Sequence, residues 1–277
     1  MAITAKEVNE LRKMTGAGMM DCKKALTEAD GDFDKAIDIL RTKGQKVSAS
    51  RADRDAKEGV VFINSNDDGT ESVVVALACE TDFVAKNDEF MAAGNKIAEI
   101  AFESNPATIE DLLALPFESL TVGEKLSELI GKIGEKIEVK YYERLSGEVV
   151  VPYIHAGSKL GVLVSLANAN GTDVIAAGKD VAMQIAAMRP IAVSKDSVDQ
   201  KTIDHELEIG REQALAEGKP EQIVDKIAQG KLNKFFQENT LLAQKFVKDS
   251  GMTVEQYLNG VQNGLTVKEF KRIAIGG

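Results

Sequence analysis

The residues best suited to specific chemistry lie in the stretch CETDFVAKND at positions 79–88. The apolar run at 73–78 predicts a strand before it, and a helical pattern follows it, so the stretch is predicted to connect a strand to a helix. Such connections are where protein scaffolds commonly present functional residues. Phe83 lies between Asp82 and Lys86 and has two interpretations: an anchor buried under its own strand, or a side chain that projects towards another protein.

The other reactive residues do not form the pattern of an active site. The glycine-lysine pair at 131–132 is followed by no hydroxyl residue, and the pair at 218–219 lies between predicted helices, so neither resembles a phosphate-binding loop. Asp82 and His155 can come together across the core, but two such groups are as common in loops as in active sites. The two cysteines and two histidines form no cluster with metal-ligand spacing. We therefore expect no catalytic residue, no metal and no cofactor, and do not predict an enzyme.

The charge distribution argues against direct binding of nucleic acid. The chain of 277 residues carries a net charge of -10, whereas affinity for phosphates requires basic surfaces. Residues 1–57 have 12 basic and 10 acidic side chains, so this part alone suits an acidic partner surface. No apolar run approaches the ~20 residues of a membrane span, and the amino terminus lacks the pattern of a signal peptide. We expect a cytoplasmic protein that does not bind membranes.

The amino-terminal residues predict three short helices. Thr4 and Glu7 form a capping box, and the first helix is predicted to stop before Gly16. A second helix at 19–29 is followed by a third at 33–43, which Gly44 is predicted to close. So small a bundle has a thin core, and its exposed apolar residues are available to a partner.

The methionines of this bundle have two interpretations. Met14, Met19 and Met20 either fill the core or contact a partner. Met19 and Met20 are adjacent and cannot both face inward on one narrow apolar stripe, so contact is favoured for that pair.

The core is predicted to contain an internal duplication. Residues 59–145 and 146–195 both begin with a strand, a turn, a strand and a helix. The loop after the second strand of the later copy, at 167–172, has no aromatic residue, which favours the projecting interpretation of Phe83. The predicted segments are a three-helix partner-binding module (1–45), a linker or loosely held helix (46–58), the two core copies (59–145 and 146–195), an antiparallel helical hairpin that projects from the core (196–236), and a carboxy-terminal segment that completes the core or docks on a partner (237–277).

Two long motifs carry a resemblance to a known family. The run TDFVAKN at 81–87 resembles the signature loop of elongation factor Ts, the guanine-nucleotide exchange factor for elongation factor Tu, and residues 11–26 resemble the family's amino-terminal signature. The resemblance implies an α+β fold with an amino-terminal three-helix ubiquitin-associated-like module, a duplicated antiparallel-sheet-plus-helix core and a projecting helical hairpin. It also implies a function in translation elongation, namely release of GDP from elongation factor Tu.

The resemblance further implies which residues meet the partner. The Asp82-Phe83 pair is expected beside the magnesium and phosphate site of elongation factor Tu, and the hairpin is expected to make an auxiliary contact or a homodimer. The expected partner-binding residues are Thr81, Asp82, Phe83 and Val84 in the loop, Leu11, Arg12, Met19 and Met20 in the amino-terminal module, and His155 in the second core copy.

A function of a different class fits the same segments. The three-helix module can bind a peptide or a ubiquitin-like surface while the hairpin forms oligomers, which describes an adaptor without exchange activity. Such an adaptor has no use for the loop at 81–87, and this feature favours the exchange factor.

Overall fold

The computed structural model describes residues 3–276, and it confirms the predicted α+β fold class. Amino-terminal helices precede two antiparallel sheets that pack face to face, and helices cover both outer faces of the pair. The helices are α1 (Ala5–Thr15), α2 (Met19–Glu28), α3 (Phe33–Arg51), α4 (Asp82–Ala85), α5 (Asp88–Ser104), α6 (Ile109–Ala114), α7 (Val122–Ile133), α8 (Ile175–Met188), α9 (Gln200–Ala216), α10 (Glu221–Asn239) and α11 (Val254–Val261). The strands are β1 (Glu58–Ser65), β2 (Glu71–Cys79), β3 (Pro116–Phe117), β4 (Leu120–Thr121), β5 (Ile137–Ser146), β6 (Val149–Ile154), β7 (Leu160–Ala167), β8 (Lys245–Phe246), β9 (Asp249–Thr253) and β10 (Thr266–Ala274).

The two main sheets share one plan. The first has the strand order β1-β2-β5 and the second the order β6-β7-β10, both antiparallel. In each, a hairpin is followed by a helix, and a later strand returns to pair with the second strand of the hairpin. The duplication inferred from the repeated pattern is therefore present in the structure. Strand β10 completes the second sheet, so the tail of the chain belongs to the core.

Strand residues alternate between two apolar interiors. On β2, Val75 and Leu77 face helices α5 and α7, whereas Val74 and Ala76 face the second sheet. Leu163 of β7 lies in the same interior between the sheets. The outer face of the second sheet packs against α8 and α11. Burial on both faces explains why β2 is a continuous apolar run without polar alternation.

The amino-terminal module has the three predicted helices, including the Thr4–Glu7 capping box, but the third ends later than predicted. Helix α3 passes through Gly44 and continues to Arg51. A Cβ atom added at Gly131 of α7 would lie 2.7 Å from the Cα of Gly44, so the two helices cross at a pair of glycines. Gly44 thus permits close packing and does not end the helix. Because α3 continues past this glycine, residues 46–51 of the predicted linker are helical.

The crossing predicts an unfavourable effect of a single methyl group. Gly131→Ala should lower the free energy of unfolding by about 1–3 kcal/mol, because its Cβ would meet backbone and force the helices apart. Gly230→Ala is the matched control, since Gly230 also lies inside a helix but a Cβ added there would meet no neighbouring atom within 4 Å. The control should gain up to about 1 kcal/mol from helix propensity. Denaturant unfolding gives the free energy of unfolding of both variants. If both variants were stabilised equally, close packing at the crossing would be disproved.

The predicted helical hairpin is present as α9 and α10. Gly218 joins them with φ +72°, a conformation that suits glycine. Gly210 packs directly on Ala228, and the buried stripe between the helices is narrow. Leu215 and Ile223, near the tip, remain 52% and 42% exposed. Across the described part of the chain, no helix is long and apolar enough to cross a membrane.

Candidate partner-binding site

The connection from β2 to α5 contains a single helical turn, α4. Thr81 caps the start of this turn, and its hydroxyl accepts a hydrogen bond from the amide of Val84 at 3.4 Å. Asn87 then caps α5, accepting the amide hydrogens of Glu89 (2.9 Å) and Phe90 (3.2 Å). The stretch predicted to join a strand to a helix does so, and both of its ends are capped.

Phe83 projects from this turn. Its side chain is 81% exposed, while those of Val84 and Ala85 are both 8% exposed and pack into the first core. One helical turn cannot direct all of its side chains inward, and here the two aliphatic residues provide the anchor. The interpretation of Phe83 as a buried anchor is therefore wrong. Val84 supplies the anchor instead, so its side chain is not available as the contact expected from the sequence.

Asp82 keeps its negative charge beside Phe83. The ammonium of Lys86 donates a hydrogen bond to its carboxylate at 2.8 Å, and this bond lowers the pKa of Asp82 below its usual value. Both side chains are exposed, so the pair adds little to stability. The turn therefore presents an aromatic ring next to a carboxylate that is ionised at neutral pH.

Two glutamates hold the base of the loop. Glu135 accepts the amide hydrogen of Thr81 at 3.0 Å and its hydroxyl hydrogen at 2.8 Å. Glu80 accepts the amide hydrogen of Lys136 at 2.7 Å and also pairs with Arg54 at 3.1 Å. Sequence analysis missed both glutamates, because their partners lie far away along the chain and only the register of β2 and β5 brings residues 80–81 and 135–136 together.

Cys79, at the end of β2, is part of the same support. Its thiol is buried and donates to the carbonyl of Thr81 at 3.2 Å. Burial raises the pKa of Cys79 to about 12, so it remains a neutral thiol at physiological pH. The thiolate is the reactive form of cysteine, so the neutral thiol of Cys79 is unreactive and serves in packing.

His155 lies in the exposed turn between β6 and β7. Its Nδ1 shares a hydrogen bond with the hydroxyl of Tyr153 at 2.9 Å. The same turn is attached to the first sheet, because the amide of Val61 donates to the carbonyl of Ser158 at 2.7 Å. Strand β1 begins opposite Cys79, just before the loop. The turn that carries His155 is therefore attached to β1, the strand that pairs with β2.

The amino-terminal module presents some of its expected residues and buries one. Arg12 is exposed, and Met19 and Met20 are 52% and 62% exposed on the first turn of α2. Met14 is 61% exposed as well, so the interpretation of the methionines as core residues is wrong for all three. Leu11 has no exposed surface and belongs to the core of the module. It supports the surface and cannot itself contact a partner.

The module is held close to the loop. Lys132 of α7 forms an ion pair with Glu89, in the first turn of α5, and fills the space beside Gly16. Gly16 lies in the connection from α1 to α2, directly before the exposed methionines. One lysine therefore joins the turn that leads to Met19 with the helix that follows Phe83.

A cavity of about 260 Å³ lies between the amino-terminal module and the core, and it is one of several concave surfaces of the molecule. Four of its charged lining residues pair with each other, Lys125 with Glu128 at 3.2 Å and Lys43 with Asp21. Within residues 3–276, no group of three or more His, Cys, Asp or Glu side chains is placed to hold a metal ion.

Comparison with known proteins covers the whole chain. A family model described as "Elongation factor TS" matches residues 80–277. The chain is similar to "Elongation factor Ts" of Amoebophilus asiaticus, with 58% identity over 276 residues and 100% of both chains covered. It is also similar to proteins of that name from Cytophaga hutchinsonii (56% identity) and Christiangramia forsetii (51%), with 99% of each chain covered in both cases.

Proposed function

Because the chain belongs to the elongation factor Ts family, and so to the factors of translation elongation, we propose that it is a guanine-nucleotide exchange factor for elongation factor Tu, acting in the cytoplasm. It binds the GDP form of its partner, disturbs the magnesium and phosphate site, and promotes release of GDP. In this proposal the chain has no active site of its own and contacts neither nucleic acid nor membrane directly.

Energetics define what such a factor must do. The factor must stabilise a state of the partner in which the contacts to GDP are broken. The coupling is reciprocal: GDP must weaken binding of the factor to the partner as much as the factor weakens binding of GDP. A thousandfold weakening requires about 4 kcal/mol. Burial of one phenylalanine supplies only about 1.5–3 kcal/mol. One intruding side chain is therefore insufficient, and a second, broader contact is required.

The observation that carries the proposal is the exposure of Phe83, 81%, beside an ionised Asp82 on a turn that is anchored at both ends. A single large apolar side chain held out from a rigid support is suited to enter a gap in another protein. We assign Phe83 the role of a wedge between side chains of the partner. Asp82, being anionic, disfavours the phosphates nearby or perturbs the magnesium shell.

The second contact is assigned to the amino-terminal module and to His155. Arg12, Met19 and Met20 are exposed, and the Lys132 contact holds their turn next to the helix that follows the wedge. Methionine and arginine are both enriched at the centres of protein interfaces.

The helical hairpin is assigned an auxiliary role. The exposed Leu215 and Ile223 near its tip offer an apolar contact, and we propose that a homodimer forms there. A molar mass of one chain at micromolar concentration, measured by light scattering, would exclude this contact.

The exchange proposal is tested directly with elongation factor Tu loaded with a fluorescent GDP analogue. Catalytic amounts of the chain should accelerate release of the analogue, and added GDP should dissociate the complex of the two proteins. Unchanged release at saturating concentrations would disprove exchange. Stable binding that GDP does not weaken would indicate the adaptor instead.

The amino-terminal contact predicts a defect in affinity. The double variant Met19→Ala and Met20→Ala should raise the concentration needed for half-maximal GDP release by about thirtyfold, because partial burial contributes roughly 1 kcal/mol for each of the two side chains. Met14→Ala is the matched control, since Met14 is equally exposed in the same module but is not assigned to the contact. It should change this concentration less than about twofold. Equal defects in both variants would contradict the assignment.

A further inference from the structure

The ends of β2 and β5 point to positioning residues that the resemblance does not include. We propose that Glu80 and Glu135, here called the carboxylate bracket, hold the Phe83 loop in the conformation that acts on the partner before the partner arrives. The inference rests on the proposed exchange function and adds residues that need not touch the partner.

The bracket continues a strand pairing beyond the point where the backbones separate. The last paired residues of β2 and β5 are Cys79 and Ile137. One position further, the amide of Lys136 donates to the side chain of Glu80 at 2.7 Å instead of to a backbone carbonyl. At the next position the amide of Thr81 donates to Glu135 at 3.0 Å. Each carboxylate thus accepts a hydrogen bond from the amide opposite it. The segments after β2 and before β5 can therefore diverge without leaving these amides unpaired.

Thr81 transmits this restraint to the wedge. Its hydroxyl donates to Glu135 at 2.8 Å and accepts from the amide of Val84 at 3.4 Å. The hydroxyl makes both bonds only in one orientation, so Glu135 fixes the side chain that caps α4. Phe83 lies inside this turn. Loss of Glu135 would release the cap, and the wedge would then have to be ordered during binding, which weakens association.

Glu80 connects the loop to the amino-terminal module. Arg54 lies three residues after the end of α3 and donates to both carboxylate oxygens of Glu80, at 3.1 and 3.3 Å. The Glu80 side chain is only 20% exposed, so this pair is better shielded from water than the Asp82–Lys86 pair. The bracket therefore restrains the loop relative to the segment that connects the amino-terminal module to β1.

The test measures GDP release from elongation factor Tu by Glu135→Ala, Glu135→Gln and Glu80→Ala. Glu135→Ala should lower the second-order rate constant about tenfold, which corresponds to about 1.4 kcal/mol. Glu135→Gln should recover most of the rate, because its amide can still accept from the Thr81 amide and donate to the Thr81 hydroxyl. Glu143→Ala is the matched control, because Glu143 lies on β5, the strand that follows Glu135, and pairs with Lys271 at 3.2 Å, away from the loop.

Amide hydrogen exchange of the free protein gives an independent measurement. The amide of Thr81 should lose protection in Glu135→Ala and that of Lys136 in Glu80→Ala, while the protection of β7 and the unfolding temperature change little. Full protection of both amides in the variants would overturn the bracket. Lost protection with GDP release at the wild-type rate would overturn its positioning role. If the wild-type chain itself fails to release GDP, the exchange proposal falls and this role with it, whereas the protection data still report whether the bracket orders the loop.

Discussion

Phe83→Ala should slow GDP release from elongation factor Tu by about 10- to 100-fold while leaving the free protein as stable as before. The expected range follows from the roughly 1.5–3 kcal/mol that burial of a phenylalanine contributes, at tenfold per 1.4 kcal/mol. Stability is spared because the side chain is 81% exposed and has little packing to lose in the free chain. The defect therefore arises entirely in the complex.

Stopped-flow release of a fluorescent GDP analogue gives the rate, and thermal unfolding monitored by circular dichroism gives the stability. Phe83→Leu should fall between the wild type and the alanine variant, since it keeps part of the apolar surface. A melting temperature lowered by several degrees, with release unaffected, would show that Phe83 stabilises the fold and has no role in exchange.

Phe90→Ala should produce the opposite result. Phe90 has no exposed surface and lies in the cluster between the first sheet and its helices. Truncation of a buried phenylalanine lowers the free energy of unfolding by about 3–5 kcal/mol, because the cavity collapses only partly. At about 2–4 °C per kcal/mol for a chain of this size class, the melting temperature should fall by roughly 6–20 °C.

The comparison separates function from stability at two phenylalanines close together in the chain. Below its own melting temperature, Phe90→Ala should release GDP at close to the wild-type rate per folded molecule. Denaturant unfolding and stopped-flow release on the same preparations make the comparison. A melting temperature within about two degrees of wild type would contradict the packing described for α5.

The sequence predicts the features that are determined by neighbouring residues. The apolar run of β2, the Thr4–Glu7 capping box and the turn at Gly218 each form through local preference, and all are present. The duplication was recognisable because the same local pattern occurs twice. Comparison of the two loops even indicated that Phe83 projects, since a residue required to anchor the unit should occur in both copies.

The features that sequence analysis missed depend on contacts between distant segments. Gly44 resembles a helix end, and only the presence of Gly131 opposite it explains why α3 continues. Leu11 lies in a signature motif, yet its position on the inner face of α1 gives it to the core. The partnership of Glu135 with Thr81 requires the register of β2 and β5, which no local pattern specifies.

The shared interior between the two sheets makes the two copies depend on each other. Either copy alone would expose one face of its sheet, including Val74 and Ala76 in the first copy and Leu163 in the second. A fragment that contains one copy should therefore associate with a second fragment or aggregate, and should not fold into a soluble monomer.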